Sequence, residues 1–178
     1  MRKKAALHNL GCKVNAYETE AMRQLLEEAG YEIVPFEPGA DVYVINTCTV
    51  TNIADRKSRQ MLHRARKMNP DAVVVATGCY VETADGAAKK DPAIDIVLGN
   101  NRKGELLTVL GEYEEHCREK EYKEAFTDKI DINHTKEYEN LQISRSEART
   151  RADIKVQDGC NQFCTYCIIP FARGRVRS

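Results

Sequence analysis

The sequence predicts an α/β fold: an open parallel sheet with helices on both faces. Two observations carry this. Three short apolar runs rich in β-branched residues lie at Val42 to Ile45, Ala72 to Ala76 and Ile94 to Leu98, with a fainter candidate, interrupted by His8-Asn9, at Ala5 to Leu10. Short, nearly unbroken apolar runs suit strands buried on both faces. Helix-like stretches separate them, and alternating strand and helix gives a parallel sheet with helices packed on it. Nothing in the pattern fixes the order of the strands.

Each helix has recognisable ends. Asn15 followed by Glu18 fits a capping-box start, in which both side chains satisfy free backbone donors. Met22, Leu25, Leu26 and Ala29 follow at helical spacing, and Gly30 stands where a left-handed stop is wanted. A second helix is expected from about Ile53 to Met68, before Pro70. It puts Ala54, Met61, Leu62, Ala65 and Met68 on one side. Arg56, Lys57, Arg59, Arg64, Arg66 and Lys67 spread over the other, as a solvated face or as a phosphate-binding one. A third helix is expected after Cys79 and a fourth from near Asn101.

The composition then shifts. Residues 112–147 carry six basic and eleven acidic side chains, a net of −5. Residues 149–178 carry six basic and two acidic ones, a net of +4. Such a switch divides the chain into a first domain at 1–111, a charged linker at 112–148 and the beginning of a second unit at 149–178. That unit opens on a strand candidate, Ala152 to Gln157. No internal repeat or low-complexity tract is present.

The 178 residues include 27 basic and 27 acidic side chains, 42% hydrophobic residues and no Trp. This composition argues against a disordered chain and against a membrane protein. The basic N-terminus has an apolar run that stops at His8-Asn9, too short for a signal peptide. A cytoplasmic location is therefore expected. In a reducing compartment the seven cysteines read as metal ligands or reactive groups rather than disulfide partners, and their odd number fits pairing poorly.

Cys160, Cys164 and Cys167 form a C-x3-C-x2-C cluster just after the last strand candidate. Three thiolates on one tight loop can converge on a soft metal centre. Structural zinc normally takes four protein ligands, whereas a 4Fe–4S cluster tolerates three if one iron has an outside ligand. A chance spacing and half of a zinc knuckle are the competing readings. Cys12, Cys48 and Cys79 lie far apart in sequence, yet each follows a strand candidate. In an open parallel sheet the carboxyl ends of the strands face one crevice, where ligands bind. Three thiols at equivalent strand ends can meet there, and Gly11 and Gly78 would let the backbone turn close to a bulky centre. The competing reading is three small buried hydrophobes. Cys117 reads as a free thiol, and His8, His63, His116 and His134 show no ligand spacing.

The segment Gly159-Cys160-Asn161-Gln162-Phe163-Cys164-Thr165-Tyr166-Cys167-Ile168-Ile169-Pro170 resembles the signature of the radical S-adenosylmethionine superfamily. The phrases from Leu10 to Glu18, from Asn46 to Thr51 and at Thr77-Gly78-Cys79 resemble the N-terminal domain of the methylthiotransferases within it. The resemblance covers nearly the whole chain in the family's order. It implies a flavodoxin-like first domain followed by the start of a radical S-adenosylmethionine α/β barrel. It also implies two 4Fe–4S clusters, an auxiliary one on Cys12, Cys48 and Cys79 and a second on Cys160, Cys164 and Cys167. S-adenosyl-L-methionine binds the open iron of the second cluster, with Tyr166 beside it. The implied reaction inserts a methylthio group, with an electron donor such as flavodoxin or ferredoxin and no membrane involved.

Gly11-Cys12-Lys13-Val14-Asn15 and Ile169-Pro170-Phe171-Ala172-Arg173-Gly174 most resemble the branch acting on threonylcarbamoyladenosine beside the tRNA anticodon. Isopentenyladenosine in tRNA and a ribosomal-protein aspartate are the other branch substrates. The resemblance implies no particular catalytic side chain beyond the ligands. Because the chain stops soon after Cys167, it is expected to bind metal but to turn over poorly alone. A fragment that only binds a cluster or a partner is the remaining alternative.

Overall fold

The computed structural model describes residues 2–84, 86–117, 125–144 and 153–178. Six strands form one sheet in the order β2-β1-β3-β4-β5-β6, every neighbouring pair parallel. The strands are β1 (Lys4–Asn9), β2 (Glu32–Ile33), β3 (Val42–Thr47), β4 (Val73–Gly78), β5 (Ile96–Leu98) and β6 (Phe126–Asp128). All six residues of β3 are buried, as the unbroken apolar run requires of a central strand. Helices α1 (Lys13–Glu28) and α4 (Leu106–Cys117) cover one face. Met22, Leu26, Leu106 and Leu110 there pack on Val42, Val44, Val75 and Ile96. Helices α2 (Asn52–Met68) and α3 (Cys79–Thr83) cover the other. Leu62, Ala65, Tyr80 and Val81 there pack on Tyr43, Ile45, Val74 and Val97. The fold is the expected open α/β sheet, and its strand order is the flavodoxin-like one.

Two strands went unpredicted for want of length or pattern. Strand β2 is two residues long, and β6 lies within the acid-rich stretch, where its Phe126-Thr127-Asp128 makes no apolar run. The stretch 112–148 thus holds the end of α4 and an edge strand of the sheet.

The start of α1 corrects the sequence reading. Cys12, not Asn15, is the N-cap, with extended backbone and no side-chain capping bond. Asn15 and Glu18 are fully buried within the helix and serve tertiary contacts. The far end behaves as expected. Gly30 adopts φ +89°, its N–H bonds to Glu27, and the Tyr31 N–H bonds to Leu26, a Schellman stop. The buried stripe of α1 is rotated from the predicted one: Ala21, Met22 and Leu26 are enclosed, whereas Ala29 is exposed. At α2, the Thr51 hydroxyl accepts from the Ala54 N–H at 3.1 Å and caps the helix.

The strand expected at 152–157 does not form over its described part, residues 153–157. The segment leads into an antiparallel bridge between Asp158 and Arg177. A short helix, α5 (Ile169–Arg173), follows Cys167 and packs against α3.

Candidate metal centre

Strand register decides where the first three cysteines go. Asn9 pairs with Asn46, and Thr47 pairs with Gly78. Extended by one or two residues, this pairing brings Gly11 level with Cys48 and Cys48 level with Cys79, at the carboxyl edge of the sheet. Cys12 and Cys79 each begin a helix, α1 and α3. The two glycines are steric necessities at this edge. A Cβ on Gly11 (φ +101°) would lie 2.7 Å from Cys48 Sγ. A Cβ on Gly78 (φ +94°) would collide with the backbone and carbonyl of Thr47. Cys48 and Cys79 are buried, at 4% and 2% exposure, and Cys12 is exposed. The Cys12 thiol is turned toward Asn15 Oδ1, 3.7 Å away.

The second set lies on one loop, where the Cys167 N–H bonds to the Cys164 carbonyl at 2.9 Å. Cys164 is exposed, and Cys160 and Cys167 are half-buried. Tyr166 is 92% exposed beside them. Phe163 takes φ +48°, covered on one face by the Arg175 guanidinium at 4.2 Å and edged by Phe171. The loop is held against the sheet edge by its flanks. Asn100 Nδ2 donates to the Ala172 carbonyl at 2.7 Å, and Arg177 Nη1 donates to the Ile132 carbonyl at 3.1 Å.

Beneath both sets lies a buried ion network that the sequence reading missed. The Glu18 carboxylate meets Lys103 Nζ at 3.1 Å, Lys155 Nζ at 2.8 Å and Arg173 Nη1 at 2.9 Å. Asp158 pairs with Lys155 and Arg173, each at 2.9 Å, and lies 3.9 Å from Arg177. All six residues are buried or nearly so, and two carboxylates face four cations. Burial alone would raise the Glu18 carboxyl, but Lys103, Arg173 and Lys155 outweigh it and hold it well below its ordinary value. Burial raises the Cys79 thiol, and Arg173 and Lys103 pull it back. A Glu three residues after an Asn looks the same in sequence whether it caps a helix or anchors such a network. Its place within the Cys12 phrase was the one available pointer.

Among the described residues, no group of three or more His, Cys, Asp or Glu stands in a metal-holding arrangement. The residues nonetheless fit an anionic, sulfur-ligated centre. Cys48 and Cys79 stand at neighbouring strand ends, glycines clear the space where a Cβ would intrude, and Arg173 and Lys103 bring positive charge near Cys79.

Fold and edge together define an open, doubly wound α/β domain that presents thiols where such sheets bind ligands. The profile of Uncharacterized protein family UPF0004 matches residues 4–99, a little over half of the chain. The chain belongs to that family, the N-terminal domain of the methylthiotransferases that its sequence resembles. It is 49% identical over 173 residues to the Threonylcarbamoyladenosine tRNA methylthiotransferase MtaB of Bacillus subtilis, covering 97% of this chain and 37% of the relative. It is 46% identical over 175 residues to the Aquifex aeolicus protein of the same name, covering 98% and 41%. It is 33% identical over 184 residues to the tRNA-2-methylthio-N(6)-dimethylallyladenosine synthase of Moorella thermoacetica, covering 99% and 39%. The chain thus spans about two fifths of the length of these relatives. No helix among the described residues is long and apolar enough to cross a membrane.

Proposed function

We propose that this chain supplies the cluster-binding front of a cytoplasmic, radical S-adenosylmethionine methylthiotransferase acting on threonylcarbamoyladenosine beside the tRNA anticodon. Cys12, Cys48 and Cys79 would hold an auxiliary 4Fe–4S cluster. Cys160, Cys164 and Cys167 would hold a second, with S-adenosylmethionine near Tyr166. When bound, these groups would supply the electron that cleaves S-adenosylmethionine and take part in sulfur insertion; flavodoxin or ferredoxin is a suitable electron source. The chain's own residues set Cys48 and Cys79 at neighbouring strand ends, keep both away from water and place buried cations near Cys79.

The observation that carries the reading is the shared edge. Register brings Cys48 and Cys79 to neighbouring strand ends, and α5, which follows the Cys160–Cys167 loop, packs on α3, the helix that Cys79 begins. Identity of 49% and 46% to two threonylcarbamoyladenosine enzymes, against 33% to the dimethylallyladenosine synthase, favours the first substrate. Iron and acid-labile sulfide after anaerobic reconstitution test the ligand assignment. The chain should take up about eight irons, and a Cys12/Cys48/Cys79→Ala variant about four. Equal uptake by both would remove the auxiliary cluster and, with it, the methylthiotransferase reading.

A further inference from the structure

Arg173 lies six residues beyond Cys167, yet its side chain reaches the helix that Cys12 begins. Nη2 donates to Asn15 Oδ1 at 2.6 Å, and both terminal nitrogens hold the Glu18 carboxylate, at 2.9 and 3.2 Å. Asn15 uses its remaining groups on the other cysteine loops. Its Nδ2 donates to the Leu10 carbonyl at 2.8 Å, ahead of Gly11-Cys12, and to the Thr47 carbonyl at 2.9 Å, immediately before Cys48. Its Oδ1, the atom that Arg173 holds, is also the acceptor facing the Cys12 thiol. One fully buried amide therefore ties two cysteine loops of the first set, and one guanidinium from the second set fixes that amide.

We propose that Arg173 is a positioning residue for the first cysteine set. It orients Asn15, and through Asn15 fixes the Cys12 and Cys48 loops relative to the loop bearing Cys160, Cys164 and Cys167. The inference rests on the reading of these cysteines as one functional centre. It concerns reach as well as charge, because a planar guanidinium spans Asn15 and Glu18 at once and an ammonium does not.

The test is residue-resolved alkylation of the reduced, metal-free chain with N-ethylmaleimide, read by peptide mass spectrometry. Cys48 is the reporter and exposed Cys164 the reference. Arg173→Lys keeps the charge but loses the span, and should raise the Cys48 rate about tenfold, as the loss of one charge-assisted hydrogen bond would by favouring local opening. Asn15→Asp keeps an acceptor for Arg173 but loses the donors to Leu10 and Thr47, and should raise the same rate. Lys155→Met removes the pairs to Glu18 and Asp158 without touching Asn15, and should raise the Cys48 rate clearly less than Arg173→Lys does. An unchanged rate in Arg173→Lys overturns the proposal. So does an equal rise in Lys155→Met, which would make Arg173 merely one brace of the network. The iron uptake described above fails or succeeds separately, so loss of the cluster reading cannot be mistaken for loss of the latch.

Discussion

Gly78 is the most constrained residue at the sheet edge. With φ +94° and ψ −163° it sits in a region that side chains avoid, and a Cβ there would meet the Thr47 backbone, which cannot step aside, as well as the buried Asn46 Oδ1. Gly78→Ala should therefore destabilise the fold by about 3 kcal/mol or more, the upper end of the cost of a disfavoured backbone state. Gly30 offers the control. Its φ is +89°, but nothing lies within 4 Å of an added Cβ, so Gly30→Ala should cost about 1 kcal/mol, the left-handed penalty alone. Urea unfolding of the two variants reads the difference directly. Similar losses would mean that the contact with Thr47 relaxes easily and that the cysteine edge is less rigid than its geometry implies.

At the scale of elements, the buried network joins α1, the 3₁₀ turn Lys103–Glu105, the segment before Cys160 and α5. Breaking one partner of a buried ion pair costs about 3–5 kcal/mol because the other charges stay behind uncompensated. Glu18→Gln should lose that much at neutral pH. The sign of its pH dependence follows from the depressed carboxyl. A folded value below the unfolded one gives stability that is complete above the unfolded value and is lost as pH falls through the folded one. Asp158, also lowered, acts in the same sense. Glu82 and Glu139, raised by burial, gain stability as pH falls. Subtracting the Glu18→Gln curve from that of the wild type isolates Glu18, and the difference should shrink below about pH 4. A difference constant down to pH 2 would show that folding does not lower the Glu18 carboxyl. This network also marks where sequence reading stops. Strands β3, β4 and β5 were legible because apolar runs report burial on both faces. The three cysteines at strand ends were legible because parallel topology sends them to one edge. Asn15, Glu18 and Arg173 were not, since partners more than 150 residues apart leave no local pattern.

For the whole molecule, net charge is no guide to nucleic-acid binding, because 27 basic and 27 acidic side chains cancel. If the chain binds tRNA as proposed, the attraction has to come from how the charges are distributed, and α2 carries six basic residues against one acidic one. Its basic residues are not equivalent. Arg66 is folded inward, donating to the Pro70 and Ala72 carbonyls at 2.7 and 2.9 Å and pairing with Asp95. Arg59 pairs with Asp55 at 3.2 Å. Arg56, Lys57, Arg64 and Lys67 are exposed, and no ion pair to them is seen among the described residues. If this face meets the phosphate backbone, each lost contact should lower the slope of log affinity against log salt by about 0.7 to 0.9. Replacing all four with Ala should then reduce the slope by about 3, with little change in stability. Arg66→Ala should do the opposite, losing stability while leaving the slope alone, since its charge is already spent within the fold. A titration of tRNA binding at several salt concentrations separates the two. An unchanged slope in the fourfold variant would return α2 to a merely solvated face and move any tRNA contact elsewhere, with exposed Arg175 the first candidate.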